Sequence, residues 1–198
     1  MAMIAGLGMM CLSSSVGAAL MMGGGVGEDD GGSGAGGANN QDNTPTIPSG
    51  QYVKVVHTVA QDNNAPGNAD DKNKVLNLAE LEVFAPGGTT SLAAGKTVTG
   101  TNLWSAFPGS YLVDGSMSNF SHTAGGAEID YFLVDLGSVQ EIEKIVIYDR
   151  PGYFVRLNGV KVQIIGADGT TVVEETPLIT TASSSNTYTF TFPGTTWA

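Results

Sequence analysis

Beyond residue 50 the apolar side chains recur at every second position. That period fixes the fold class, because only an extended strand sends alternate side chains to opposite faces. Val160, Val162 and Ile164 alternate with Lys161 and Gln163, and Tyr188, Phe190 and Phe192 alternate with Thr187, Thr189 and Thr191. Each run reads as a strand with one face on a core and the other in water. Ile142 to Tyr148 is apolar on both faces, as expected of a central, covered strand. The run Leu76 to Phe84 changes phase near Ala79, which predicts a bulge.

Turn chemistry separates these runs. Asn158-Gly159 and Asp168-Gly169 can supply the positive φ that tight connections need. Pro86-Gly87-Gly88 and Pro193-Gly194 punctuate loops. Together the runs give about eight candidate strands at the spacing of an antiparallel sandwich or jelly roll. Roughly 150 residues are available to it, enough to bury a core without staples. The one cysteine of the 198-residue chain, Cys11, lies outside this part, so the domain has neither a disulfide nor a thiolate metal site.

The first 49 residues have a different character. Met1 to Met22 contains no charged side chain, and as a helix it would span about one bilayer core, roughly 30 Å. It lacks the basic start of a secretory signal, and Val16-Gly17-Ala18 is only a passable cleavage site. Its many small residues suit close helix packing in a membrane or insertion into a partner protein. Between Gly23 and Gly37 nine of fifteen residues are glycine, and no apolar period appears before Gly50. Such composition behaves as flexible coil. The expected organisation is therefore an apolar anchor over 1–22, helical if it spans a membrane, a glycine-rich tether over 23–49 and a β-sandwich over 50–198.

Charge excludes one class of partner. The net charge of −11, with only eight scattered Lys and Arg, leaves no basic surface for nucleic acid. Enzyme signatures are also missing. The domain has no nucleophile-elbow pattern and no histidine pair at metal spacing, and the glycine-rich stretch has neither strand nor helix beside it to cradle phosphate.

An ordered series of landmarks runs through the domain. It comprises Leu76–Phe84, Leu112-Val113-Asp114-Gly115, Phe120-Ser121-His122-Thr123, Tyr131–Gly137, Ile145–Arg150 and Arg156–Val162. The series resembles the galactose-binding-like jelly rolls of the discoidin (coagulation-factor type C) family, and especially their F-type, fucose-binding lectin branch. The resemblance implies an all-β jelly-roll sandwich that binds sugars, lipid head groups or proteins through loops at one end, without catalysis. Carried over residue by residue, it assigns sugar binding to His122, Arg150 and Arg156. An imidazole and two guanidiniums can donate fixed hydrogen bonds to sugar oxygens. The pattern departs where the family has an Asp, because Gly152 stands there, and Tyr153 and Phe154 replace the usual adjacent cysteines. The resemblance also implies a calcium near Asp114, with Ser116 where Asn is common; no cofactor is otherwise required.

Each of these residues has a plainer reading. Arg150 could be a strand-end arginine paired with Asp149, and His122 a hydrogen-bonded loop histidine. Trp104 could be a sugar-stacking platform or a partly buried loop aromatic. Glu80, Glu82, Asp135, Glu141, Glu143, Glu174 and Glu175 read as solvent faces and turn caps. His57 reads as a strand residue.

Two functions follow as expectations. The first is a membrane-anchored, non-enzymatic structural protein, a minor component of a large assembly such as a virus capsid, docking on neighbouring proteins. The run Ser13-Ser14-Ser15-x-Gly17 is similar to apolar leaders of virion proteins from large DNA viruses. The second is a lectin or adhesion module displayed on a virion or cell surface, with glycans as partners. An enzyme-accessory carbohydrate-binding module stands third.

Overall fold

The period-two runs become strands where the pattern places them. In the computed structural model the described residues are 46–58, 75–124, 129–180, 187–194 and 196–197. Sheet one contains β1 (Ser49–His57), β3 (Thr97–Gly100), β5 (Tyr131–Glu141), β7 (Val160–Ile165) and β8 (Val172–Glu175), ordered β3-β5-β1-β7-β8. Sheet two contains β2 (Asn77–Phe84), β4 (Ser121–His122), β6 (Lys144–Asp149), β9 (Thr187–Thr191) and β10 (Thr196–Trp197), ordered β10-β9-β6-β2-β4. Every neighbouring pair is antiparallel. From β1 to β7 the chain changes sheet at each step, so sequence neighbours face one another across the core rather than pairing edge to edge. The result is an all-β antiparallel sandwich of two five-stranded sheets, the fold class that the strand runs and the landmarks implied.

Burial explains the pairing of the two layers. Val53 and Val55 of β1, Phe132 and Val134 of β5, and Val162 and Ile164 of β7 pack in one cluster with Leu78, Leu81 and Val83 of β2, Ile145 and Ile147 of β6, and Tyr188 and Phe190 of β9. These are the alternate positions of each strand, so both sheets present an apolar face inward. The doubly apolar run expected as a central strand is β6, which lies between β9 and β2. It starts at Lys144 rather than Ile142, because Ile142 sits at the crossing between sheets, fully buried, with its N–H donating to the Pro48 carbonyl at 2.9 Å.

The bulge also stands where the phase change put it, since the β2–β6 register shifts between Leu78 and Glu80. Its consequence corrects one expectation. Glu80, read as a solvent-facing carboxylate, is only 3% exposed. It accepts a hydrogen bond from the Gly115 N–H at 3.0 Å, where the Asp114 loop meets β2. Burial, reinforced by the nearby Asp114 and Glu82 carboxylates, pushes its carboxyl up to about 7. Ten strands are described against the eight expected, because β4 and β10 are two-residue pairings too short to show a period.

The anchor expected over 1–22 and residues 23–45 of the tether expected over 23–49 lie outside the described residues; residues 46–48 lead into β1, which begins at Ser49. Among the described residues no helix is long and apolar enough to cross a membrane.

Candidate functional site

Four segments that the sequence separates meet at an open cleft of about 330 Å³, lined by Val75, Trp104, His122, Ala124, Arg150, Tyr153 and Arg156. All three residues singled out for sugar binding are therefore brought together. Trp104, the candidate stacking aromatic, lies beside them and is 47% exposed.

The Arg150 side of the cleft is made by a turn. Arg150-Pro151-Gly152-Tyr153 closes with the Tyr153 N–H donating to the Arg150 carbonyl at 3.0 Å, and Gly152 takes φ +84°. Proline second and a positive-φ glycine third are the requirements of a type II turn. The turn sets Arg150 and Tyr153 side by side. The guanidinium carbon lies 3.9 Å from the Tyr153 ring centroid and 3.8 Å from that of Phe120. Rings over the faces of a guanidinium leave its N–H fork in the plane between them. The resemblance places an Asp at Gly152; nothing lies within 4 Å of a Cβ there, so the positive φ, not space, disfavours a side chain.

His122 and Trp104 are set by β4. The Trp104 N–H donates to the His122 carbonyl at 2.9 Å, and the His122 N–H donates to the Phe107 carbonyl at 3.1 Å. The loop after β3 is thus laid along β4, and its aromatics pack around the imidazole. Trp104 meets both Phe107 and His122 edge to face, with centroids 5.2 and 5.3 Å apart, and Phe107 stacks on Phe120 at 4.4 Å.

Arg156 comes from a 3-10 helix, Phe154–Leu157, that follows the turn. It is buried, and its Nη1 donates to His122 Nε2 at 3.1 Å. His122 Nδ1 pairs with the Thr123 carbonyl. A guanidinium only donates and a carbonyl only accepts, so these partners assign a neutral imidazole protonated at Nδ1. His122 thereby orients Arg156 rather than offering a spare N–H to the cleft.

Behind the cleft lies Asp149, 1% exposed. Burial pushes its carboxyl up to about 7, opposed by the Arg150 N–H and by the Arg156 and Arg150 guanidiniums. His57 lies in β1, buried, and burial lowers it to about 4, so it is neutral at pH 7. Tyr153 is the lining residue that the sequence noted only as a departure from a pattern. Val75 and Ala124 carry no signal of their own, being ordinary small apolar residues.

Asp114 and Ser116 share one exposed loop. Asp114 Oδ1 accepts the Ser116 N–H at 2.9 Å, Oδ2 accepts the Asn119 amide at 2.8 Å, and the Ser116 and Ser118 hydroxyls pair at 2.8 Å. Among the described residues no three His, Cys, Asp or Glu side chains converge as metal ligands. Both Asp114 oxygens thus accept hydrogen bonds from within their own loop.

Residues 111–198 match the family model for the NedA-like, galactose-binding domain of the F5/8 type C group. The discoidin-type resemblance is thereby shown for that stretch, which contains His122, Arg150, Arg156, Asp114 and Ser116; the match does not reach to the F-type branch. It suggests a carbohydrate-binding or interaction module. No curated protein and no solved structure matches the chain.

Proposed function

We propose that the sandwich is a non-catalytic carbohydrate-binding module that seats a sugar in the Trp104–Arg150 cleft. The observation supporting this is the meeting of His122, Arg150 and Arg156 in one open cleft beside a half-exposed tryptophan. A sugar presents an apolar ring face and a rim of hydroxyls. Trp104 offers a surface for the first and Arg150 donors for the second. His122 and Arg156 act from beneath as positioning residues. With this reading the lectin-type expectation moves ahead of the architectural one, which drew on the apolar segment and tether over 1–49 and on Gly152 standing where the family has an Asp. Display from a membrane by the uncharged 1–22 segment remains part of the proposal. Calcium is not part of this proposal.

Thermal unfolding of the full chain against a panel of monosaccharides tests the reading. A sugar at a hundredfold its Kd stabilises by about 2.7 kcal/mol. For a domain of this size that is a Tm shift of several degrees, and Arg150→Ala should abolish it. A folded chain that no sugar shifts would sink the proposal.

A further inference from the structure

Trp104 and Arg150 belong to one continuous stack of rings and guanidiniums. Phe107 stacks on Phe120 with centroids 4.4 Å apart and planes 18° off parallel. The Arg150 guanidinium carbon lies 3.8 Å from the Phe120 centroid and 3.9 Å from that of Tyr153, and the Arg156 carbon lies 4.5 Å from Tyr153. A benzene face has room for a single neighbour at such distances, so Phe120 sits between Phe107 and Arg150. Trp104 joins the stack through its edge contact with Phe107 at 5.2 Å. Trp104 and Phe107 come from the loop after β3, Phe120 immediately precedes β4, and Arg150 and Tyr153 come from the turn after β6. Neither Phe107 nor Phe120 lines the cleft, and both are half-buried outside the main core cluster.

A sugar in the cleft must meet the Trp104 ring and the Arg150 guanidinium at once, and the span between them runs through Phe107 and Phe120. An arginine has much rotamer freedom to lose when a ligand immobilises it. Rings against its guanidinium remove that freedom before the ligand arrives, and stacking and cation–π attraction hold it there. The other end of the span is tied to β4 by backbone. The Trp104 N–H donates to the His122 carbonyl, and the His122 N–H donates to the Phe107 carbonyl. The platform and the guanidinium are thus preorganised relative to one another by two side chains outside the cleft lining.

We infer that Phe107 and Phe120 are positioning residues that fix the span from Trp104 to Arg150 and so set how tightly a sugar is held; this rests on the sugar-binding reading above. The test is calorimetric titration of the full chain with L-fucose, D-galactose, D-mannose and N-acetyl-D-glucosamine. The Arg150 Nε–H signal is followed alongside in a proton–nitrogen spectrum. Phe120→Leu keeps an apolar side chain but removes the ring. It should weaken the sugar that wild type binds best by about fivefold, and it should shift the Arg150 signal even without sugar. Phe120→Tyr retains the ring and should restore both. Phe107→Leu acts one ring further from Arg150 and should also weaken binding, so the inference stays testable if either leucine variant fails a fold check by circular dichroism. Wild-type affinity in the folded leucine variants, or an equal loss in Phe120→Tyr, would overturn the inference. The rings would then only pack the loops, and the module would remain a sugar binder. Silence of the wild type toward every sugar would remove both readings.

Discussion

Asp149 shows how one residue can tie the cleft to pH. Its side chain is buried, and of the groups acting on it the Arg150 and Arg156 guanidiniums favour ionisation while burial opposes it and prevails. A carboxyl raised from its ordinary range to about 7 gives the folded state an extra proton across that interval. Stability from this group is full at low pH and is lost as pH rises through 7. His57 acts in the opposite sense: lowered to about 4, it favours the folded state as pH rises from there towards 6.5. In the difference between wild type and Asp149→Asn the His57 contribution cancels. The variant should therefore gain on wild type between pH 4 and 7 by on the order of 4 kcal/mol and then level off. Urea unfolding at pH 4, 5.5, 7 and 8 measures this, and parallel curves would rule it out. The sequence shows Asp149 only as a plausible partner for Arg150. Its burial was not legible, because nothing local reveals that the end of β6 lies under a turn from the same chain.

Elements differ in how openly the sequence declares them. Strands β7 and β9 announce themselves by period, β6 by being apolar on both faces, and the bulge at Ala79 by its change of phase. β4 does not, since two residues cannot display a period; its pairing with Asn77 and Leu78 is a matter of tertiary register. Glu80 was misread for the same reason: the loop that covers it lies far along the chain. That loop, Asp114 to Asn119, makes its own prediction. Asp114→Ala deletes the acceptors for the Ser116 N–H and the Asn119 amide, both in water-exposed surroundings. The loss should be roughly 1 kcal/mol or less, with sugar affinity unchanged and equal in calcium and in chelator. A fall in affinity on chelation that Asp114→Ala reproduces would show that a cation in this loop supports the cleft.

At the scale of the molecule, fold class and the identity of three cleft residues were legible, and the cleft itself was not. Period and turn spacing gave the sandwich, because both are local consequences of burying one face of a strand. The order β3-β5-β1-β7-β8 is not local. It emerges from crossings between sheets that only the packed core dictates. His122, Arg150 and Arg156 could be singled out through the pattern around them. That His122 works on Arg156, and that Phe120 and Tyr153 hold Arg150 by its faces, are spatial facts.

The central claim is that a sugar occupies the cleft, and Trp104 reports on it directly. The chain has two tryptophans, so the indole N–H region of a proton–nitrogen spectrum holds two signals, and Trp104→Phe assigns them. Titrating the full chain with the sugar that gives the largest thermal shift should move the Trp104 signal saturably, leave that of Trp197 in place, and have no effect in Arg150→Ala. A Trp104 signal that stays fixed while the sugar binds would place the ligand elsewhere and contradict the account.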